Sequence, residues 1–191
     1  MAALGLSVIG CRAPLKAPPD VRDAAHPKLK SMSVHPGAVV KRACSPSGPE
    51  LCFNAIDDNC NGVLDEGCGV HTGAIQFAIA WSDPDADVDL NVIDPNGELV
   101  EVGRLTQSGL TKQRDCPGRN NACHGQNMEN VYLEGDEALS GKYSATVRLE
   151  RLGQTAPPIF VMLGARVGQK TYSIEFKLER PEDEQQVTLE F

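Results

Sequence analysis

The sequence predicts a mainly β protein: an antiparallel β-sandwich, jelly-roll or Ig-like, preceded by a small disulfide-rich calcium-loop module. Three observations carry this. From about residue 70 to Phe191, short apolar runs alternate with polar residues and are separated by turn residues. Helical periodicity is almost absent. Between Cys44 and Cys68, four cysteines frame an acidic string too short to own a hydrophobic core, and segments of this size are held by disulfides or metal.

Residues 1–11, MAALGLSVIGC, form an apolar run that ends in small residues before a cysteine. That pattern resembles the lipobox of bacterial lipoproteins, which implies a cleaved signal peptide and a diacylated Cys11. The expected charge at the front of a signal peptide is missing, since Arg12 is the first basic residue. Residues 12–43 read as a Pro-rich disordered tether carrying seven Lys/Arg against two Asp/Glu. Prolines remove amide donors and stiffen the chain toward polyproline II, so such a segment spaces a folded body from its anchor. No stretch reaches the ~20 apolar residues of a membrane span, so membrane contact is expected through a lipid anchor only.

The Cys-rich motif is assigned to 44–69 and the sandwich to 70–191. Ile75, Phe77, Ile79 and Trp81 alternate with small or polar neighbours and place one face of a strand in the core, which gives Trp81 a core role. In the next run Val88, Leu90 and Val92 point one way and Asp87, Asp89 and Asn91 the other, before Asp94-Pro95-Asn96-Gly97 makes a hairpin turn. Further strands are expected at 130–133, 142–149, 159–163, 171–178 and 186–191. The stretch 106–127, rich in Gly, Asn, Gln and Arg, reads as a long loop holding Cys116 and Cys123.

The string ELCFNAIDDNCNGVLDEGC is the most informative in the chain. Laid on a calcium loop, Asp57, Asn59 and Asn61 fall at positions 1, 3 and 5, Gly62 at the sharp turn and Val63 at the carbonyl ligand, with Asp65 and Glu66 closing the shell. Alternate side chains of a tight loop converge on one centre, which is why hard oxygen donors at this spacing point to Ca2+. Five carboxylates and no Lys or Arg lie from Glu50 to Cys68, so repulsion opposes compaction until a cation arrives. Position 12 is Cys68 rather than Glu, and no amphipathic helices flank the loop, so it is not an EF-hand. Asn at two early positions lowers the charge, which predicts weak affinity. Asp83, Asp85, Asp87 and Asp89 alternate and form a second candidate set for calcium, against the simpler reading of a solvated strand face. Cys44, Cys52, Cys60 and Cys68 are spaced by eight, wider than zinc pairs usually are, which favours disulfides. Four cysteines allow three pairings, and the spacing does not choose among them.

The acidic string resembles the cysteine-rich metal-binding motif of MopE-like exported proteins, in which CNGxDDDCDGxxDEGC recurs. Here Phe53 replaces the usual Asn after the first cysteine and Asn61 stands where Asp is common. The region that follows resembles YfaP-like β-sandwich domains of secreted bacterial proteins, through WSDPDADVDLNVIDPNGE and ENVYLEGDEALSGKYSATVRL. That resemblance implies a fold and an envelope location, and no activity.

The formal net charge is −8, and the body beyond the tether is more acidic still, which opposes binding to nucleic acid. No HExxH, GxSxG or phosphate loop occurs, and the four histidines, at 26, 35, 71 and 124, are scattered. The expectation is a non-enzyme: an exported, outer-membrane or cell-surface lipoprotein, with a periplasmic face as the alternative. Its sandwich would contact a protein or polysaccharide of the cell envelope in a structural or adhesive role. The alternative is an accessory or inhibitor module that contacts a protein partner through loop 106–127, with Arg119 in the contact.

Overall fold

The computed structural model describes residues 27–41, 44–46, 48–117, 123, 125–135, 137–154 and 156–191. The signal-peptide and lipidation expectations at 1–11, with Cys11, lie outside the described residues, as do Arg119 and His124.

The described residues form two antiparallel sheets packed face to face and no helix. In chain order the strands are β1 (Ser31–Val34), β2 (Val39–Lys41), β3 (Ile75–Trp81), β4 (Asp87–Ile93), β5 (Leu110–Arg114), β6 (Met128–Leu133), β7 (Lys142–Arg151), β8 (Ile159–Val167), β9 (Lys170–Leu178) and β10 (Glu184–Glu190). One sheet has the order β1-β10-β7-β4 and the other β2-β9-β8-β3-β6-β5. The period-2 pattern places its apolar residues between the sheets: Phe77, Ile79, Val88, Leu90, Val147, Leu163, Phe176 and Leu189 are all fully buried. Trp81 belongs to the same core, 7% exposed, and its indole Nε1 donates to the Ala86 carbonyl. An unpaired indole N–H at that depth would cost the desolvation of a polar group.

Two segments differ from the sequence expectation. Part of the 12–43 tether is sheet: β1 pairs with β10 in the register Ser31↔Glu190, and β2 pairs with β9 as Val39↔Glu175. These are short, half-exposed edge strands whose partners lie at the other end of the chain, so no local apolar pattern announces them. Within 106–127, residues 110–114 form β5, the edge of the six-stranded sheet, paired to β6 through a bulge between Lys112 and Arg114. The Asp94–Gly97 turn forms, with Gly97 N–H donating to the Asp94 carbonyl at 3.0 Å. Its return is a single bridge, Ile93↔Leu99, rather than a full strand.

The described residues of the Cys-rich segment have no regular secondary structure and lie on the outer face of the six-stranded sheet. There Ala55, Phe53 and Val70 pack with Ala78, Ala80, Met128 and Met162. The contact needs Gly164 on β8, because a Cβ there would come within 2.3 Å of the Ala55 carbonyl oxygen. Leu64, fully buried, fills the same place from the other side of the loop. The Arg114 guanidinium sits over the Phe53 ring at 5.9 Å and is held by the Met128 and Gln126 carbonyls.

Candidate metal centre

The segment is tied by two interleaved disulfides, Cys44–Cys60 and Cys52–Cys68, each closing a separation of 16 residues. Each such closure removes about 3 kcal/mol of unfolded-chain entropy in the loop-entropy description. This is one of the three pairings left open by the spacing, and it leaves none of these four thiolates for zinc. Cys116–Cys123 is the third bridge, so six of the seven cysteines in the sequence are paired.

Between the bridges the backbone coils tightly, with Phe53, Ala55, Cys60 and Asp65 at positive φ. Such conformations are uphill for residues with a Cβ and persist where surrounding bonds over-determine them. Side-chain oxygens supply those bonds. Asp57 Oδ1 accepts from the Asn61 amide at 3.0 Å and its Oδ2 from the Gly62 amide at 2.9 Å. Asn59 Oδ1 accepts from the Asn61 amide and Asn61 Oδ1 from the Val63 amide. Asp57, Asn59 and Asn61 therefore wind the 57–63 bend around their own oxygens.

Glu66 closes that bend. The carboxamides of Asn59 and Asn61 both donate to its Oε1, while its Oε2 is buried and has no partner among the described residues. Asp65 does not join this group. Its carboxylate accepts from the Asn54 and Ala55 amides, and the residue is fully buried. Desolvation raises it to about 6 against those amides. Asp65 thus holds the start of the loop, where a metal ligand was expected from position. Nothing in the geometry singles out Val63 beyond its amide bond to Asn61.

Two residues that the sequence reading passed over complete the site. Glu50 bridges the loop from outside, Oε2 accepting from the Asp58 amide and Oε1 from the Asp65 amide. Burial, with the nearby Glu66 charge, pushes its carboxyl up to about 7. Thr171 on β9 donates its hydroxyl to Asp57 Oδ2 at 2.8 Å and joins the bend to the sandwich. Glu50 stands at the edge of the motif and Thr171 is 114 residues from Asp57, so no spacing rule reaches either.

Residues 41–66 match a family model, Cu-binding MopE, described as "Putative metal-binding motif". No curated protein and no solved structure matches the chain. The donors fit a metal: a carboxylate oxygen is buried without a partner, in a bend whose other side chains are oxygen donors. They fit a hard cation best. The cysteines are spent in disulfides, and no histidine or methionine lies from Cys44 to Cys68, so the soft or imidazole donors that copper favours are missing there.

The second set is not brought together. Asp83 is 3% exposed and its Oδ1 accepts from the Asp85 amide in the turn before β4, while Asp85 is exposed. Asp87 faces Arg151. Asp89 instead meets Asp115 and Glu129, whose oxygens lie within 4.8 Å of one another, and there the Lys112 ammonium bonds Glu129 at 2.7 Å and Asp115 at 3.2 Å. A lysine thus supplies positive charge where a calcium was weighed. Glu129 is fully buried, and it also accepts from the Leu90 amide at 2.7 Å and the Cys116 amide at 2.9 Å. β4 is an edge strand, and this carboxylate from the facing sheet satisfies its free N–H.

Proposed function

We propose that this chain is an exported envelope lipoprotein in which a calcium ion held by the 57–66 bend stiffens a β-sandwich binding module, with a structural or adhesive rather than a catalytic role. The observation that carries the reading is the convergence of Asn59 and Asn61 on Glu66, whose second oxygen is buried and unpaired. Asp57, Asn59, Asn61 and Glu66 would hold the ion, with Asp65 and Glu50 shaping the backbone around them. The ion supplies two positive charges to a segment of five carboxylates and no basic side chain. Calcium suits this set because it takes oxygen ligands in flexible geometry and tolerates water in the remaining positions. Three disulfides support an oxidising compartment outside the cytoplasm. With six cysteines paired, Cys11 is left for lipid.

The test is a calorimetric titration of the chelator-treated, non-reduced protein with calcium and, separately, with copper(II), alongside Glu66→Gln. Calcium should bind with a dissociation constant of about 10⁻⁴ to 10⁻³ M, raise the melting temperature, and lose most of its heat in the variant. Equal heats in wild type and variant, or saturable copper binding without calcium binding, would remove calcium from this account.

A further inference from the structure

Beside the module, on the outer face of the six-stranded sheet, a cleft of about 440 Å³ is lined by residues that include His71, Thr72, Tyr132, Glu134, Arg166 and Gly168. Its size falls within the range of small-ligand sites. Two of its side chains stand on one cross-strand row, in which Gln76 of β3 is the register partner of both Arg166 on β8 and Tyr132 on β6. Arg166 spends Nε on the Gly168 carbonyl at 2.9 Å and pairs with no carboxylate among the described residues. Asp57 and Glu66 act on it only through space. Between it and Tyr132 in the row, Gln76 is fully buried; its Nε2 donates to Asn130 while its Oε1 has no donor. The His71 ring stacks on Tyr132, centroids 5.0 Å apart and planes 18° apart.

The chemistry of these groups selects a ligand. A guanidinium whose terminal nitrogens are uncommitted is a fork for one planar carboxylate. Among the described residues Arg166 is the only Lys or Arg lining the cleft and Glu134 stands with it, so a second negative charge is disfavoured. Glu134 is an acceptor, and the Thr72 and Tyr132 hydroxyls both donate and accept, so hydroxyl groups on the rest of the ligand find partners there. One carboxylate on a ring of hydroxyls is a uronic acid.

We propose that this cleft binds a uronic-acid unit of an acidic polysaccharide, with the Arg166 fork on its carboxylate. The inference rests on reading the sandwich as a binding module and names the ligand class of that module.

The full-length protein with its disulfides intact is titrated, in chelator, with galacturonic acid trimer, with the methyl ester of that trimer, and with acetyl-Gly-Ala, which has a free C-terminal carboxylate. The acid trimer should bind, with the ester, the dipeptide and the Arg166→Gln variant each at least ten-fold weaker. Arg166→Lys, which keeps the charge and loses the fork, should fall between wild type and Arg166→Gln. Melting of each variant within a few degrees of wild type shows that the fold is kept. Equal binding of acid and ester, or unchanged affinity in Arg166→Gln, overturns the uronate assignment while leaving a glycan-binding module in place. Dipeptide binding in place of the sugar, lost in Arg166→Gln, also overturns it and gives the fork to a peptide carboxylate. Silence from all three probes overturns it outright, and calcium titration of the same sample then judges the cation reading separately.

Discussion

Asp57 in the cysteine-framed bend and Thr171 on β9 share a hydrogen bond of 2.8 Å, and the same carboxylate oxygen accepts from the Gly62 amide. One oxygen therefore sets both the curvature of the loop and its position on the sandwich. Hydrogen bonds to charged groups are worth about 1.5–3 kcal/mol. Thr171→Val, which keeps the branched shape and removes the donor, should cost about 2 kcal/mol, a fall of roughly 4–8 °C in melting temperature for a chain of this length. Calorimetry shows whether the loss is carried by one cooperative transition, as docking requires, or by a separate early melting of the module.

Calcium should stabilise the whole molecule, since the loop is bonded to the sheet. At a hundred-fold excess over its dissociation constant, a ligand specific for the folded state adds about 2.7 kcal/mol. Asp57→Ala should abolish this increment and also lower the melting temperature without calcium, because the Gly62 amide and Thr171 lose their acceptor and the Asn61 amide keeps only Asn59 Oδ1. Glu66→Gln should abolish the increment with a smaller basal loss, since among the described residues the Glu66 carboxylate accepts only from the two Asn side chains. Thermal melts in calcium and in chelator separate the two roles.

Gly164 tests the docking by shape alone. A Cβ at this position would meet the Ala55 carbonyl at 2.3 Å and Leu64 Cδ1 at 2.9 Å, and both belong to a loop that two disulfides keep from yielding. Gly164→Ala should cost about 1–3 kcal/mol as an overpacked contact, while Gly73→Ala would strike the Leu133 carbonyl within the sandwich itself. Limited proteolysis is the discriminating measurement. Faster cleavage within 44–69 is expected for Gly164→Ala, with the strands still protected.

The core strands were legible because burial on one face imposes a period of two, and Val88, Leu90 and Val92 are buried while Asp87, Asp89 and Asn91 are half-exposed, as the alternation requires. β1 and β2 were not, because their order comes from Glu190 and Glu175 on distant strands and their own side chains are largely exposed. In the bend, Asp57, Asn59 and Asn61 each bond an amide only a few residues ahead, which makes the curvature of this stretch a local property of its sequence. Asp65 bonds backward instead, to the Asn54 and Ala55 amides. A positive φ of 49° turns the chain there, and loop numbering copied from a helix-flanked template does not anticipate that reversal. Glu129 gave no sign in MENVYL. Its burial answers to the unpaired edge of β4, a requirement that exists only once both sheets have formed.

Glu129 and Lys112 form a buried pair between the sheets, and removing one partner of such a pair strands the other. Glu129→Ala should cost about 3–5 kcal/mol, because a buried ammonium and the Leu90 and Cys116 amides all lose an acceptor. Adding Lys112→Met should recover part of that loss, and the double-mutant cycle reads the coupling directly. Urea denaturation of the four proteins at fixed calcium is the measurement, and additive losses would show that the pair is not coupled.

The neighbouring Asp89 makes stability depend on pH in a direction opposite to that of a simple surface ion pair. Burial raises its carboxyl to about 6 in spite of Lys112, with Asp115, Asp87 and Glu150 also pushing upward. A carboxyl whose folded-state value exceeds the unfolded value of about 4 binds its proton more tightly in the folded state. Its contribution is then fully present below pH 4 and is lost as pH rises through 6. Asp89→Asn, which cannot ionise, should match wild type near pH 4 and melt a few degrees higher at pH 8. Melting temperatures of both proteins across pH 4 to 8, in chelator so that the cation loop does not contribute, decide the point. Curves that stay parallel, or that converge at high pH instead, would mean that Asp89 ionises in the fold without penalty.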